Sequence, residues 1–259
     1  MNRNHHDYFK IATQYRIKYL QMVASSREAL IPSAFSMLDI IVYLFENNLI
    51  LNSENDIIIS KGHAASVLYP FISKKHSIDL KYGEDGSPFG IYANVEIPGI
   101  VMPSGSLGHG LGVAAGIHIA NPSLQPTFVF LGDGECFEGS IWEALMLINN
   151  LRLSNIIPVI DYNNRTILGD LDNTYPNYDL ESKLSGFGFD VHCIDGHNFN
   201  DIDSAVKKCL SNSTPSLILA RTVKGKGVPF MEESHLWHNR MPTSDQLATT
   251  INQLSTLCH

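Results

Sequence analysis

Short apolar runs alternate with helix-length segments along most of this chain, and that alternation constrains its fold more than any other feature. Asp56–Ser60, Thr127–Leu131, Ile156–Asp161, Asp190–Ile194 and Ser216–Arg221 read as short buried-type strands. Helical spacing marks residues 8–24, a stretch from about Ser36, and Ala64–Lys74. It recurs over Ser106–Ala120, Glu138–Leu151 and Ile202–Leu210. Strands that alternate with helices imply a doubly wound, mainly parallel α/β sheet with helices on both faces. Residues 76–104, rich in Gly, Pro, Asp and Asn, read as a long surface excursion. With no repeat or low-complexity segment, residues 1–259 are taken as a single domain, although the length alone also suits two small ones.

Sheets of this kind bind ligands beyond the C-terminal ends of their strands, so chemistry belongs just past the apolar runs. Leu131-Gly132-Asp133-Gly134-Glu135 ends one run and opens a helix. Thirty positions after Asp133, Asp161-Tyr162-Asn163-Asn164-Arg165 ends the next. Adjacent parallel strands would let Asp133 and Asn163 share one ion. A carboxylate, an amide oxygen and a backbone carbonyl form a hard-oxygen set suited to Mg²⁺, which keeps its other positions for water and phosphate. The glycines permit close backbone approach to a phosphate, and the following helix N-terminus favours the anion. Gly-Asp-Gly by itself is more often a turn before a capped helix; the matching Asn at the next strand end reverses that balance in favour of a site.

Composition narrows the class. Hydrophobic residues make up 44% and charged residues 17%, so a sizeable core is expected and disorder is not. A net charge of −8, with scattered Lys and Arg, argues against nucleic acid. Cys136, Cys193, Cys209 and Cys258 show no CxxC pair, and the N-terminus has no export-type apolar stretch. No apolar run approaches the length of a membrane span. A cytoplasmic, soluble protein with free thiols is expected, acting on small molecules.

Taken together, these motifs resemble the thiamine diphosphate signature, in its transketolase form. Gly132-Asp133-Gly134 with Asn163 downstream is similar to the cofactor motif, and Ser60-Lys61-Gly62-His63 to a Ser-x-Gly-His segment. Ser104–Gly110, Glu138-Gly139 with Glu143, Thr222–Gly227 and Glu232–His238 resemble further transketolase stretches, the last two those of small split N-terminal subunits. The resemblance implies that Asp133, Asn163 and the Arg165 carbonyl hold Mg²⁺. It implies that His63, Gly105, Ser106, Leu107, Gly134, Glu135, Asn163 and His238 contact thiamine diphosphate. His63, His238, Glu138 and Glu143 would be the catalytic group, with the two glutamates near a subunit interface. The implied enzyme moves a two-carbon ketol or acyl-anion unit from a ketose or 2-oxo acid to an aldehyde or ketone. Because the chain ends at His259, a partner subunit is expected to supply the pyrimidine-binding domain and its catalytic Glu, in an α₂β₂ assembly.

Two positions depart from the family pattern. Histidines that contact donor hydroxyls in transketolases fall here on Leu30 and Ile91, which cannot donate a hydrogen bond. His109 stands where the family carries Gln, with its role open. His5, His6, His76, His118, His192, His197 and His259 are read as structural or surface residues. Three rival readings compete: a 2-oxo acid dehydrogenase or decarboxylase α-type subunit, a cofactor-free scaffold, and a dinucleotide-binding protein. The last rests on Gly110-Leu111-Gly112-Val113-Ala114-Ala115, but Pro98 and Pro103 spoil the strand that should precede it.

Overall fold

In the computed structural model, described over residues 4–26, 28–52, 56–166, 169–176, 178–232 and 234–258, the strands gather into one main sheet. His259 and residues 1–3 lie outside the described residues. The chain opens with α1 (His5–Val23), α2 (Ile31–Glu46), β1 (Ile57–Ile59), α3 (Tyr69–His76), α4 (Gly110–Ala120) and β2 (Thr127–Gly132). It continues through α5 (Gly139–Asn150), β3 (Ile156–Tyr162), the two short strands β4 (Arg165–Thr166) and β5 (Gly169–Asp170), and α6 (Leu171–Thr174). It closes with α7 (Leu180–Gly186), β6 (Asp190–Asp195), α8 (Phe199–Ser211), β7 (Ser216–Arg221), α9 (Pro229–Glu232) and α10 (Ser244–Thr256). The main sheet runs β1-β2-β3-β7-β6, and every neighbouring pair is parallel. β4 and β5 form a separate antiparallel pair.

Alternate strand residues serve opposite cores, as a two-faced parallel sheet requires. Phe128, Phe130, Ile157 and Val159 pack with residues of α1, α2, α3 and α8, while Val129, Leu131, Ile156 and Ile160 pack with those of α4, α5 and α7. The expected fold class is therefore the observed one. Among the described residues no helix is long and apolar enough to cross a membrane.

The structure corrects several expected boundaries. α2 begins at Ile31 rather than near Ser36, because Pro32 sits in the first turn, where its missing N–H costs nothing. The expected helix Ala64–Lys74 is a 3₁₀ segment, Gly62–Leu68, followed by α3. Pro70 lacks the N–H that an α-helix would direct back to Ser66. Residues 76–104 are not merely a surface excursion, since Tyr82, Phe89, Ala93 and Ile97 are buried in the core. Residues 97–103 form no strand, so the Gly110–Ala115 pattern lacks the context a dinucleotide site needs. Gly110 serves packing instead: a Cβ there would collide with the side chain of Ser60.

A buried ionic network joins the helical layer to the strand ends. Nη1 of Arg16 (α1) lies 2.8 Å from the Asp39 carboxylate (α2), which also accepts from Nδ1 of His197 at 2.7 Å. Nε of Arg16 donates to the Lys226 carbonyl at 2.8 Å, and the Val223 N–H donates to Nε2 of His197 at 2.8 Å. Burial opposes the charge on Asp39, but Arg16 and His197 outweigh it and hold the carboxyl well below the usual carboxylate range. A depressed carboxyl stabilises the fold above its unfolded pKa and loses that contribution as pH falls. The network should thus weaken below about pH 4. Asp39→Ala leaves Arg16 buried without its partner and should cost roughly 3–5 kcal/mol in urea or thermal unfolding at neutral pH. A loss below about 1 kcal/mol would show that the network carries little stability.

Candidate active site

The register of the sheet builds the site. Gly132 pairs with Asp161 across β2 and β3, so Asp133 and Asn163 leave neighbouring strand ends together. Asp133 is buried; its Oδ1 accepts the Gly134 N–H at 2.7 Å and its Oδ2 the Asn164 N–H at 2.6 Å. Asn163 donates through Nδ2 to Asp161 at 3.3 Å and accepts the Arg165 N–H through Oδ1 at 3.1 Å. Asn164 turns the chain in the left-handed region at φ 60°, a conformation Asn tolerates. Burial first, and then repulsion from Asp161, push the Asp133 carboxyl up to about 7. A cation beside it would restore the ionised form. The acidic carboxylate, amide oxygen and nearby backbone carbonyl make an all-oxygen donor set, which suits Mg²⁺.

Around this pair lies a cleft of about 980 Å³. Asp133, Gly134, Glu135, Asn163 and Arg165 line it, as do His63, Gly105, Leu107 and His238. The structure thus brings together most of the residues singled out from sequence. Leu30 and Ile91 line the same cleft. Ser106 is exposed beside it, and Glu138 and Glu143 are exposed near the start of α5, outside its lining. His109 is exposed at the N-cap of α4. Of the histidines set aside, His118 pairs with the Thr127 hydroxyl and His197 with Asp39, both structural roles.

The chemistry of Glu135 differs from that of the other lining residues. Its Oε1 accepts the Ser60 hydroxyl at 2.5 Å and the Gly108 N–H at 2.8 Å, and its Oε2 accepts the Gly132 N–H at 3.0 Å. Its carboxylate therefore ties the Ser60 and Gly108 segments to the end of β2. A second tight approach occurs at Gly62, where a Cβ would lie 2.5 Å from the Gly105 nitrogen. Only a residue without a side chain lets the Gly62 and Gly105 loops meet at the cleft.

Three further lining residues escape the sequence reading. Lys61 donates to the Ser33 carbonyl at 3.2 Å and forms a buried ion pair with Asp161. Burial works against the charge of Asp161, but Lys61 and the hydroxyls of Ser36 and Thr222 hold its carboxyl below the ordinary range. Nζ of Lys224 lies 2.7 Å from Nδ1 of His238. Burial and then Lys61 push Lys224 down to about 8. Burial and the same lysines push His238 to about 4 and His63 to about 3, so both imidazoles are neutral near pH 7. The third residue is Ser33, whose buried hydroxyl has no hydrogen-bond partner among the described residues. The buried Lys224 ammonium, with no carboxylate partner among the described residues of the kind Lys61 has in Asp161, and an orphaned hydroxyl fit an anion that brings its own oxygens. A diphosphate held with a divalent cation meets both needs.

Comparison with known proteins gives the same direction. The family model described as transketolase, thiamine diphosphate binding domain, matches residues 10–256. An apulose-4-phosphate transketolase subunit of Phocaeicola vulgatus is 34% identical over 206 residues, covering 76% of this chain and 73% of that protein. The 6-deoxy-6-sulfo-D-fructose transketolase subunit SqwG of Clostridium sp. is 33% identical over 207 residues, covering 76% and 75%. Transketolase from Campylobacter jejuni superposes with a TM-score of 0.86 over 98% of this chain and 43% of that one, at 22% identity. The chain thus spans less than half of that solved transketolase, and at such identity the likeness concerns the fold alone.

Ser33→Ala separates a ligand-facing hydroxyl from a structural one. Removing an unpartnered buried hydroxyl should leave stability unchanged or raise it by up to about 1–2 kcal/mol. Affinity for thiamine diphosphate with Mg²⁺, measured by calorimetry, should fall about tenfold. Lost stability with unchanged affinity would make Ser33 a packing residue.

Proposed function

We propose, from the premise that the chain belongs to the transketolase thiamine diphosphate-binding domain family, that it is the diphosphate-binding subunit of a two-chain transferase. The reaction is transfer of a two-carbon ketol or acyl unit from a ketose or 2-oxo acid to an aldehyde or ketone. The observation that carries this reading is the pairing of Gly132 with Asp161, which sets Asp133 and Asn163 side by side below a cleft lined by Lys61, Lys224 and Ser33.

In this reading Asp133, Asn163 and the Arg165 carbonyl would hold Mg²⁺ beside the diphosphate. Lys224 and the Ser33 hydroxyl would meet the remaining anionic oxygens, and the Gly105 backbone, in the same lining, would contact the cofactor. Thiamine diphosphate, when bound, supplies a nucleophilic carbon that takes the transferred unit and bears its negative charge. With Nδ1 of His238 accepting from Lys224, the neutral ring carries its hydrogen on Nε2. That N–H can donate to a developing alkoxide, and neutral His63 can relay a proton on the same side of the cleft. Ring centroids 6.3 Å apart suit two groups acting on one substrate.

A partner chain is part of the proposal. Both relatives compared above are named as transketolase subunits. The partner would supply the pyrimidine-binding domain and a catalytic Glu, in an α₂β₂ assembly. Exposed Glu138 and Glu143, with exposed Met146, Leu147 and Leu151 on the same helix or just beyond it, form a surface suited to such contact. Four free cysteines fit a cytoplasmic setting, and the net charge of −8 fits no nucleic-acid role.

Asp133→Ala removes the anionic ligand of the proposed metal site. In the assembled complex it should weaken thiamine diphosphate binding at least about tenfold, equivalent to roughly 1.4 kcal/mol, by calorimetry. Unchanged affinity would rule out the site. Carboligation should also require both subunits, and steady turnover by this chain alone would refute the division of labour.

A further inference from the structure

The lining of the cleft is chemically mixed. Asp133, Lys61, Lys224, His63 and His238 supply charged and polar groups, while Leu30, Ile91 and Leu107 bring apolar side chains and Tyr92 a ring. Leu30 is 8% exposed and caps the start of α2, its carbonyl accepting the Ala34 N–H at 3.2 Å. Ser33 follows three residues later on the same helix face, beside Lys61. Leu30 therefore lies within one helical turn of the unpartnered Ser33 hydroxyl. Ile91 is fixed as firmly. The buried Tyr69 hydroxyl donates toward the carbonyls on either side of it, Gly90 at 2.9 Å and Tyr92 at 3.4 Å.

We infer that this site takes donors whose transferred fragment is an unhydroxylated acyl unit, the methyl-ketone head CH₃–C(=O)–. The inference rests on the function proposed above. In the proposed function the donor reacts beside the cofactor in this cleft, where the fragment it transfers would meet Leu30 and Ile91 of the lining. A hydroxyl enclosed there gives up its water and gains no hydrogen bond from either side chain, whereas a methyl group gains apolar contact. Other polar groups of the same lining are the Ser33 hydroxyl, which the proposed function assigns to the diphosphate, the Tyr92 hydroxyl, on a side chain 51% exposed, and the exposed Glu28 carboxylate.

Two sources offer this head. From a 1-deoxy ketose phosphate, the bond between carbons 2 and 3 breaks, and its electrons stay with the acyl carbon. The carbon-3 fragment leaves as an aldehyde, its hydroxyl proton lost. From a 2-oxo acid the bond to the carboxylate breaks and CO₂ leaves. In both cases the acyl carbon forms a new bond to the acceptor aldehyde, whose oxygen takes up one proton. The 2-oxo acid route reads CH₃–CO–COO⁻ + RCHO + H⁺ → CH₃–CO–CH(OH)R + CO₂.

The test uses the assembled complex, first shown by calorimetry to bind thiamine diphosphate; failure at that stage is failure of the proposed function. Then kcat/KM is compared for xylulose 5-phosphate, 1-deoxyxylulose 5-phosphate and pyruvate with one aldehyde acceptor. At least one methyl-ketone donor should exceed xylulose 5-phosphate by about tenfold or more, and the better of the two names the source. The variant carrying Leu30→Ser and Ile91→Ser should narrow that ratio while keeping its cofactor affinity. Preference for xylulose 5-phosphate overturns the inference, including when Tyr92→Phe abolishes it, since the Tyr92 hydroxyl would then supply the missing partner. If no donor turns over, equilibrium dialysis of the same three compounds against the loaded complex decides. Tighter retention of xylulose 5-phosphate is again the overturning result.

Discussion

One buried carboxylate holds the working end of this protein together. Asp161, fully enclosed at the end of β3, accepts hydrogen bonds from Lys61 after β1, Ser36 in α2 and Thr222 after β7. It also accepts from the amide of Asn163, just past the end of its own strand. Three strand ends and one helix thus converge on a single negative charge. An unpaired carboxylate at that depth would be expensive, so the loops that carry its partners are locked to one arrangement. The Asn163 amide is oriented by the same contact, because its nitrogen must face the carboxylate and its oxygen must turn elsewhere.

The electrostatics of the cleft follow from that arrangement. Lys61 is largely neutralised by Asp161, while Lys224 is buried beside a neutral histidine with only partial compensation. Asp133 is opposed by burial and by Asp161. The protein alone therefore holds a carboxyl reluctant to ionise and an ammonium pushed toward neutrality, both of which the proposed metal and polyanion would relieve. Such mutual frustration concentrates where ligands bind rather than where a fold is simply stable.

Much of the fold was legible because buried parallel strands have a simple signature: short apolar runs closed by polar residues. The Asp133 and Asn163 pairing could be read for the same reason, since register in a parallel sheet carries strand ends into proximity. Other features depended on three-dimensional context. Pro32 reads as a break in sequence, yet in the first turn of α2 it starts the helix. Helix α10 carries a readable signal that the apolar pattern alone does not show, the capping box of Thr243 and Gln246. Lys61, Lys224 and Ser33 are ordinary surface-type residues by identity. Only burial, ion pairing and a missing hydroxyl partner mark them out. The internal anchors of residues 76–104, Tyr82 and Phe89, were hidden by the turn-rich composition around them.

The clamp that Tyr69 makes on Gly90 and Tyr92 has an evolutionary consequence. Main-chain carbonyls are held from below by a side chain in the 3₁₀–α3 region, so the shape of this loop does not depend on what residue 91 presents to the cleft. Side-chain identity and backbone architecture are uncoupled at that point. A lineage could exchange the residue there without refolding its surroundings, and explore new substrates at little cost in stability. Divergence in chemistry among proteins of this shape would then accumulate at a few such uncoupled positions.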